Sequence, residues 1–359
     1  MYNAIKLARK FLPNFEEQRC RTLNNIINKS NQFNERDELK YVTKCRVAIV
    51  GLGGVGKSLA HLLKTYPGSL TELRLCNRSD PEGIVEELNH IPTKLPVRGF
   101  KGIDRLSLGL QNADVVVVTA GIARRPDMER RHLFMENAAL TRDIINICAD
   151  RCPDALIAIV TNPLDSMVPV AAGVLKTRGV YRPERLFGVC QIDQMRAQRF
   201  YAQVIGQEPR RTYVPVVGGH AENTTVPLFS KARPNVPLTE EETKALIQLV
   251  REAGKRVVQA KKGAGGSTFS MASATLSFVH NLCRAIHHEP HVIISAYVES
   301  TVTNARFFSN ELLLGPRGVH RNLGYGTVTT FEQNLIDEAV LVLQHDIALA
   351  DDFVKKNVK

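Results

Sequence analysis
The chain has 359 residues, 44% of them apolar and 23% charged, with a net charge of +11. This composition excludes a collagen-like or low-complexity chain, and the length is enough for two ordinary domains whose core needs no disulfides. Seven cysteines without a CxxC pair, and no stretch near the ~20 apolar residues of a membrane span, argue against a zinc ribbon, a metal site, a disulfide scaffold and a transmembrane protein.

Residues 1–44 carry nine Lys/Arg against five Asp/Glu. At 100° per residue Lys6, Arg9 and Lys10 fall on one helical face, and Ile5, Leu7, Ala8, Phe11 and Leu12 on the other. A basic, acid-free amphipathic start has the form of a mitochondrial presequence, although serines are missing; a surface helix or an extension is the alternative. The Asn-rich stretch 24–37 has little to bury and reads as linker. The remaining basic surplus is spread without Lys/Arg runs or interleaved aromatics, which disfavours nucleic-acid binding. A field that attracts small anions and a generally basic surface both remain open.

From Cys45 the pattern changes to short apolar runs alternating with helical stretches. Arg46–Val50 is predicted as a strand, Gly54–Lys64 as a helix, Leu70–Cys76 as a strand, and a helix from Asp80-Pro81 to about His90. Asp114–Thr119, with four consecutive valines, and Ala155–Thr161 are predicted as strands buried on both faces, flanking a helix over 127–151. This alternation specifies a doubly wound parallel sheet of the Rossmann type. The second half mixes a helix from Asp193 to Ile205, strands near 212–217 and 225–228, and a capping box at Thr239-Glu-Glu-Glu242 before a helix to about Lys262. A helix near 270–287, antiparallel strands at 292–298 and 306–314, and a final helix over 331–356 complete a mixed α/β domain. The expected organisation is an extension at 1–44, a dinucleotide-binding domain at 45–190 and a substrate-binding, catalytic domain at 191–359.

The strand at 46–50 runs into Gly51, Gly53 and Gly56, spaced G-x-G-x-x-G at the opening of a helix. Glycine suits a tight turn whose N–H groups must approach a pyrophosphate, so a nicotinamide cofactor is expected here. An acid that accepts from the ribose hydroxyls usually ends the second strand; here it is replaced by Asn77, followed by Arg78 and Ser79. Asn77 serves an NAD ribose without repelling a 2′-phosphate, and Arg78 can bind that phosphate, so NAD and NADP both stay open.

Three later segments carry candidate chemistry. Gly121–Arg131 holds Arg124, Arg125, Arg130 and Arg131; Asp193 and Arg196 lie three apart on one helical face; and His220 follows two glycines after a strand. Taken singly, these are a solvated arginine face, an intrahelical ion pair and a turn histidine. In order, together with Asn162-Pro163, Phe187-Gly188-Val189, Gly218-Gly219-His220-Ala221, Ala264-Gly265 and Leu312–Gly315, they resemble NAD-dependent malate dehydrogenases of the mitochondrial and bacterial type, from about Cys45 to Val354.

The resemblance implies an oxidoreductase of carboxylic-acid metabolism, in the tricarboxylic acid cycle, acting on a small dicarboxylate as a mitochondrial homodimer. It implies His220 as proton acceptor and donor with Asp193 as its partner, and Arg196 on the carboxylate beside the reacting carbon. Arg124 then selects a second carboxylate, Arg130 polarises the carbonyl, and Asn162 holds substrate and nicotinamide. Asn137 lies beside the cofactor and Met271 lines the nicotinamide pocket. Four departures stand out: the glycine turn is one residue shorter than usual, Asn77 replaces Asp, Asp127 and Glu129 bring acids into the arginine loop, and Asp165 replaces asparagine. They leave two other readings open, a 2-hydroxy-acid dehydrogenase of shifted specificity and a catalytically weak paralogue that acts as a binding partner.

Overall fold
The computed structural model describes residues 44–122 and 130–358. The amphipathic N-terminal segment and Arg124 lie outside these residues, as does the side chain of Arg130.

The central element is β1 (Arg46–Val50), and its four apolar residues alternate between two cores. Ala48 and Val50 join one apolar cluster, Val47 and Ile49 the other. The same division separates Val116 and Val118 from Val115 and Val117 in β4 (Val115–Val118). A strand covered on both faces needs apolar residues at every position, which is why these segments show no polar alternation.

The first face is covered by α3 (Gly102–Leu110), α4 (Arg130–Arg151), α5 (Leu164–Thr177) and α9 (Thr330–Asn357). The other is covered by α1 (Gly54–Thr65), α2 (Glu82–Asn89) and α8 (Thr268–Ile286). With β2 (Glu72–Asn77), β3 (Val97–Lys101), β5 (Leu156–Ile159) and β6 (Leu186–Gly188), the parallel half has the order β3-β2-β1-β4-β5-β6. This is the predicted doubly wound arrangement, and its ligand crevice lies outside the carboxyl ends of the strands.

The sheet does not stop there. Gly188 of β6 pairs antiparallel with Tyr297 of β9 (Ile293–Glu299), and the order continues through β10 (Phe307–Gly315) and β7 (Val216–Gly218) to β8 (Thr225–Pro227). β11 (Gly318–Gly324) pairs with β10. A third apolar cluster joins α6 (Gln191–Val204), including Tyr201, to α7 (Glu240–Ala260). The predicted capping box is present: Glu242 N–H donates to Thr239 Oγ1 at 3.2 Å, and Thr239 N–H to the Glu242 carboxylate at 2.8 Å.

Five elements, β3, α3, α5, β6 and β11, were not anticipated by the sequence pattern. Helix α5 is the instructive case. It packs between α4 and α9 and is buried nearly all round, so its apolar residues show no one-sided period, and Pro169 sits inside it. The predicted strand at 212–217 shrinks to Val216–Gly218, with Tyr213 only bridging Arg233. The six cysteines among the described residues are free and buried. Among those residues no helix is long and apolar enough to cross a membrane, and no group of three His, Cys, Asp or Glu side chains is placed to hold a metal ion.

Candidate active site
The three predicted glycines meet three different demands. Gly51 has φ +101°, and a Cβ there would lie 2.4 Å from the Ala120 backbone at the end of β4. A Cβ on Gly56 would lie 2.0 Å from Gly51 O, so this glycine lets α1 pack against the turn. A Cβ on Gly53 would meet nothing within 4 Å, so the space on that side is open, at the N-cap of a helix with no side-chain cap and no acid in its first turn. Unpartnered N–H groups facing open space at a helix N-terminus fit a pyrophosphate, so the turn fits a dinucleotide despite its shorter spacing.

Asn77 ends β2 beside this turn. Its Oδ1 accepts from Leu52 N–H at 3.0 Å, and its Nδ2 donates to Ser79 O at 3.2 Å. Arg78 and Ser79 are exposed next to it, and the nearest acid, Asp80, is paired with Lys101 at 3.0 Å.

Asn137 is buried on α4 and its carboxamide makes three hydrogen bonds to backbone groups. Oδ1 accepts from Ile122 N–H at 2.8 Å, while Nδ2 donates to Ile122 O at 3.2 Å and to Asn162 O at 2.7 Å. It therefore positions Ile122 and Asn162, and its Oδ1 keeps a second lone pair. Asn162 is exposed, joined to Pro163 by a cis peptide bond. Met271 is buried on α8 in the second core.

His220, Asp193 and Arg196, drawn from two separate segments, come together. Asp193, in the first turn of α6, places Oδ2 2.5 Å from His220 Nδ1, and its Oδ1 accepts from Arg196 Nη1 at 3.1 Å. The side chain of Asp193 is 4% exposed and that of His220 15%. Arg196 Nη2 donates to Ser267 Oγ at 3.0 Å, from the same guanidinium that pairs with Asp193. Burial alone pushes the His220 pKa down, but the charge of Asp193, the hydrogen bond to it and the charge of Asp165 outweigh this. The net shift is upward, with Arg196 opposing it.

One residue noted only as a departure turns out to belong to the site. Asp165, in the first turn of α5 and 2% exposed, accepts from His220 N–H at 2.7 Å, Ala221 N–H at 3.2 Å and Thr224 Oγ1 at 2.7 Å. A Cβ on Gly219 would lie 2.5 Å from Asp165 Oδ2, which explains a glycine immediately before the histidine. Its position one turn after Asn162 was the available signal, but nothing in the sequence places it under residue 220.

His220, Asn162 and Asp165 line a cleft of about 970 Å³, together with Arg131, Glu222 and Arg251 among others. Arg251 Nε donates to Thr225 O at 2.9 Å, and burial lowers its pKa. A cleft holding a buried histidine–carboxylate pair and guanidinium groups can take a small anion and exchange a proton with it.

Residues 45–188 match the family model for the lactate/malate dehydrogenase NAD-binding domain, and residues 190–354 the model for the lactate/malate dehydrogenase α/β C-terminal domain. The chain is 40% identical over 311 residues to the mitochondrial malate dehydrogenase of Homo sapiens, covering 86% of this chain and 92% of that one. The Rattus norvegicus enzyme is 41% identical over the same span. Among solved structures, the apo malate dehydrogenase of Picrophilus torridus superposes with a TM-score of 0.77 at 23% identity, covering 88% of this chain and 99% of that one. A lactate dehydrogenase of Eimeria maxima superposes at 0.73, with 22% identity and coverage of 86% and 96%. These two share the fold.

Proposed function
Because the chain belongs to the lactate/malate dehydrogenase family, we propose that it is a malate dehydrogenase, interconverting malate and oxaloacetate with NAD. The observation that carries this reading is the His220–Asp193 pair at the cleft, with Arg196 attached to the same carboxylate. When bound, the nicotinamide accepts or supplies the hydride at the substrate's C2. Gly51, Gly53 and Gly56 would hold its pyrophosphate, Asn77 its ribose, and Asn162 and Met271 its nicotinamide end. Asn137 contributes by fixing Asn162.

The proton is the protein's own task. Asp193 keeps a proton on His220 Nδ1, so Nε2 is the nitrogen that takes the hydroxyl proton during oxidation and returns it during reduction. The raised pKa favours the charged ring, which stabilises the proton where the reaction leaves it. Arg196 is assigned the carboxylate beside the reacting carbon. Arg124 and Arg130, outside the described side chains, are assigned the second carboxylate and the carbonyl. A guanidinium can bond a carboxylate through a bidentate fork, so arginines at both ends measure substrate length. Oxaloacetate would then be preferred over pyruvate because pyruvate leaves one charged partner unmatched.

NADPH is a second cofactor we propose the site accepts, since Asn77 carries no charge against a 2′-phosphate and Arg78 stands exposed beside it. Assembly as a homodimer is proposed from the family, and the exposed Met135 and Leu140 of α4 and Met195 of α6 supply apolar surface for it. Mitochondrial import through the basic amphipathic start is supported by the relatives named mitochondrial. A reporter fused to residues 1–44 should enter mitochondria, and a cytosolic reporter would defeat that part of the reading.

The deciding assay follows oxidation of NADH and NADPH with oxaloacetate, pyruvate and phenylpyruvate. Oxaloacetate with NADH is expected to give the highest kcat/KM. Preference for pyruvate or phenylpyruvate would replace this reading with a shifted specificity, and no turnover with any keto acid would leave a binding role.

A further inference from the structure
The backbone around His220 is fixed by one carboxylate, as its ring is by another. Three donors converge on Asp165: His220 N–H reaches Oδ1, and Ala221 N–H and Thr224 Oγ1 reach Oδ2. Those donors span the whole turn from 220 to 224. Gly219 leaves no room for a side chain between that turn and the carboxylate, and Tyr297 OH donates to the backbone carbonyl of Asp165 at 3.2 Å, anchoring the acid from β9. An asparagine, which the resemblance leads one to expect here, has one acceptor atom for donors that address both oxygens and would present its NH₂ to a second N–H.

We infer that Asp165 is a second carboxylate of the catalytic machinery, a positioning residue that seats the His220 turn and, as an ionised group, supports the proton on the imidazole together with Asp193. The inference rests on the dehydrogenase reading for its kinetic consequence but not for its physical content. The two backbone N–H groups can only donate and so favour the ionised form, whereas the Thr224 hydroxyl can donate or accept. Burial opposes that form and moves the Asp165 pKa upward, against the hydrogen bonds and the charge of His220.

The other titratable groups facing the ring and its cleft come from several elements. Arg196, from α6, opposes protonation of the ring. Arg131 on α4, Glu222 on the turn itself, Arg251 and Glu252 on α7, and His345 and Asp346 on α9 line the same cleft. The His220 N–H is taken by Asp165, and all six are unchanged in the variants that test the idea.

The test compares wild type, Asp165→Asn and Thr224→Val in two measurements. The first is an NMR titration of the His220 ring in the resting enzyme with ¹³C-labelled histidine. The second is the pH profile of kcat/KM for oxaloacetate reduction. Asp165→Asn is expected to lower the ring titration and the alkaline limb together by about one unit, and also to lower the acid plateau because the turn loses an acceptor; the further loss of kcat/KM at alkaline pH is roughly tenfold. Thr224→Val removes a hydroxyl but keeps the charge, so it should slow turnover equally at all pH values without moving the limb. An unmoved ring titration in Asp165→Asn would overturn the inference, and so would an equal shift in Thr224→Val. If Asp165→Asn does not fold, carboxylate ¹³C titration of wild type decides: an ionised Asp165 at pH 7 supports the assignment, a protonated one overturns it. A wild type that turns over no keto acid would sink the functional reading, while the ring titration would still decide the role of Asp165.

Discussion
The N–H of Leu52 donates to Asn77 Oδ1 at 3.0 Å, tying the glycine turn to the end of the second strand. An aspartate in place of Asn77 keeps that acceptor and adds a negative charge at the position a 2′-phosphate would approach. Asn77→Asp should therefore raise the KM for NADPH by tenfold or more, about 1.4 kcal/mol, and leave or improve the KM for NADH. Steady-state kinetics with both cofactors measure this, and an unchanged NADPH rate would remove the argument for dual use.

The imidazole of His220 gives a prediction with a sign. Reduction needs the protonated ring, and the folded protein holds the ring's pKa above its ordinary 6.5. In the oxaloacetate direction kcat/KM should be flat at low pH and fall as pH rises through that elevated value. In the malate direction it should rise through the same value, because oxidation needs the neutral ring. His220→Asn should abolish both directions while NADH still binds, as read by cofactor fluorescence. Asp193→Asn should cost on the order of 10²–10⁴ in kcat, since it removes the partner that fixes the tautomer. Surviving activity in His220→Asn would transfer the role of base to another residue.

The glycines separate folding from binding. Gly56→Ala places a methyl 2.0 Å from Gly51 O, and Gly51→Ala one 2.4 Å from the Ala120 backbone, so both should lower Tm sharply or abolish soluble expression. Gly53→Ala meets nothing within 4 Å and should leave Tm near wild type while weakening NADH binding by about tenfold, about 1.4 kcal/mol. A Gly53→Ala variant with normal NADH affinity would mean the pyrophosphate lies elsewhere.

Glu332 makes a prediction about stability alone. Its buried carboxylate accepts from Ser230 N–H at 3.0 Å, Ser230 Oγ at 2.6 Å, Thr329 N–H at 3.1 Å and Thr329 Oγ1 at 3.0 Å, closing a capping box and pinning the start of α9 to the 229–231 turn. Glu332→Ala strands those donors and should cost about 2–4 kcal/mol in chemical denaturation. A loss below about 0.5 kcal/mol would show that water replaces the carboxylate.

How much of this was readable in the sequence depended on whether a signal was local. β1, the glycine turn and the capping box at Thr239 were legible because each is encoded within a few consecutive residues. Asp193 and Arg196 were legible as a pair by helical spacing, and their meeting with His220 followed from the family resemblance. The role of Asp165 was not legible, because 55 residues separate it from His220 and the sheet alone brings them together. Asn137 follows from the family resemblance, but a sequence cannot show that its carboxamide bonds Ile122 and the carbonyl of Asn162. Helix α5 escaped because its burial on all sides erases the period by which helices are recognised.

The antiparallel pairing of Gly188 with Tyr297 carries a practical consequence for anyone who would divide this protein. A fragment ending near residue 190 would expose the flank of β6 as a sticky ribbon and lose the α9 residues that close its first core. Such a piece should aggregate on expression, whereas circular permutation at a surface turn keeps every neighbour and should be tolerated.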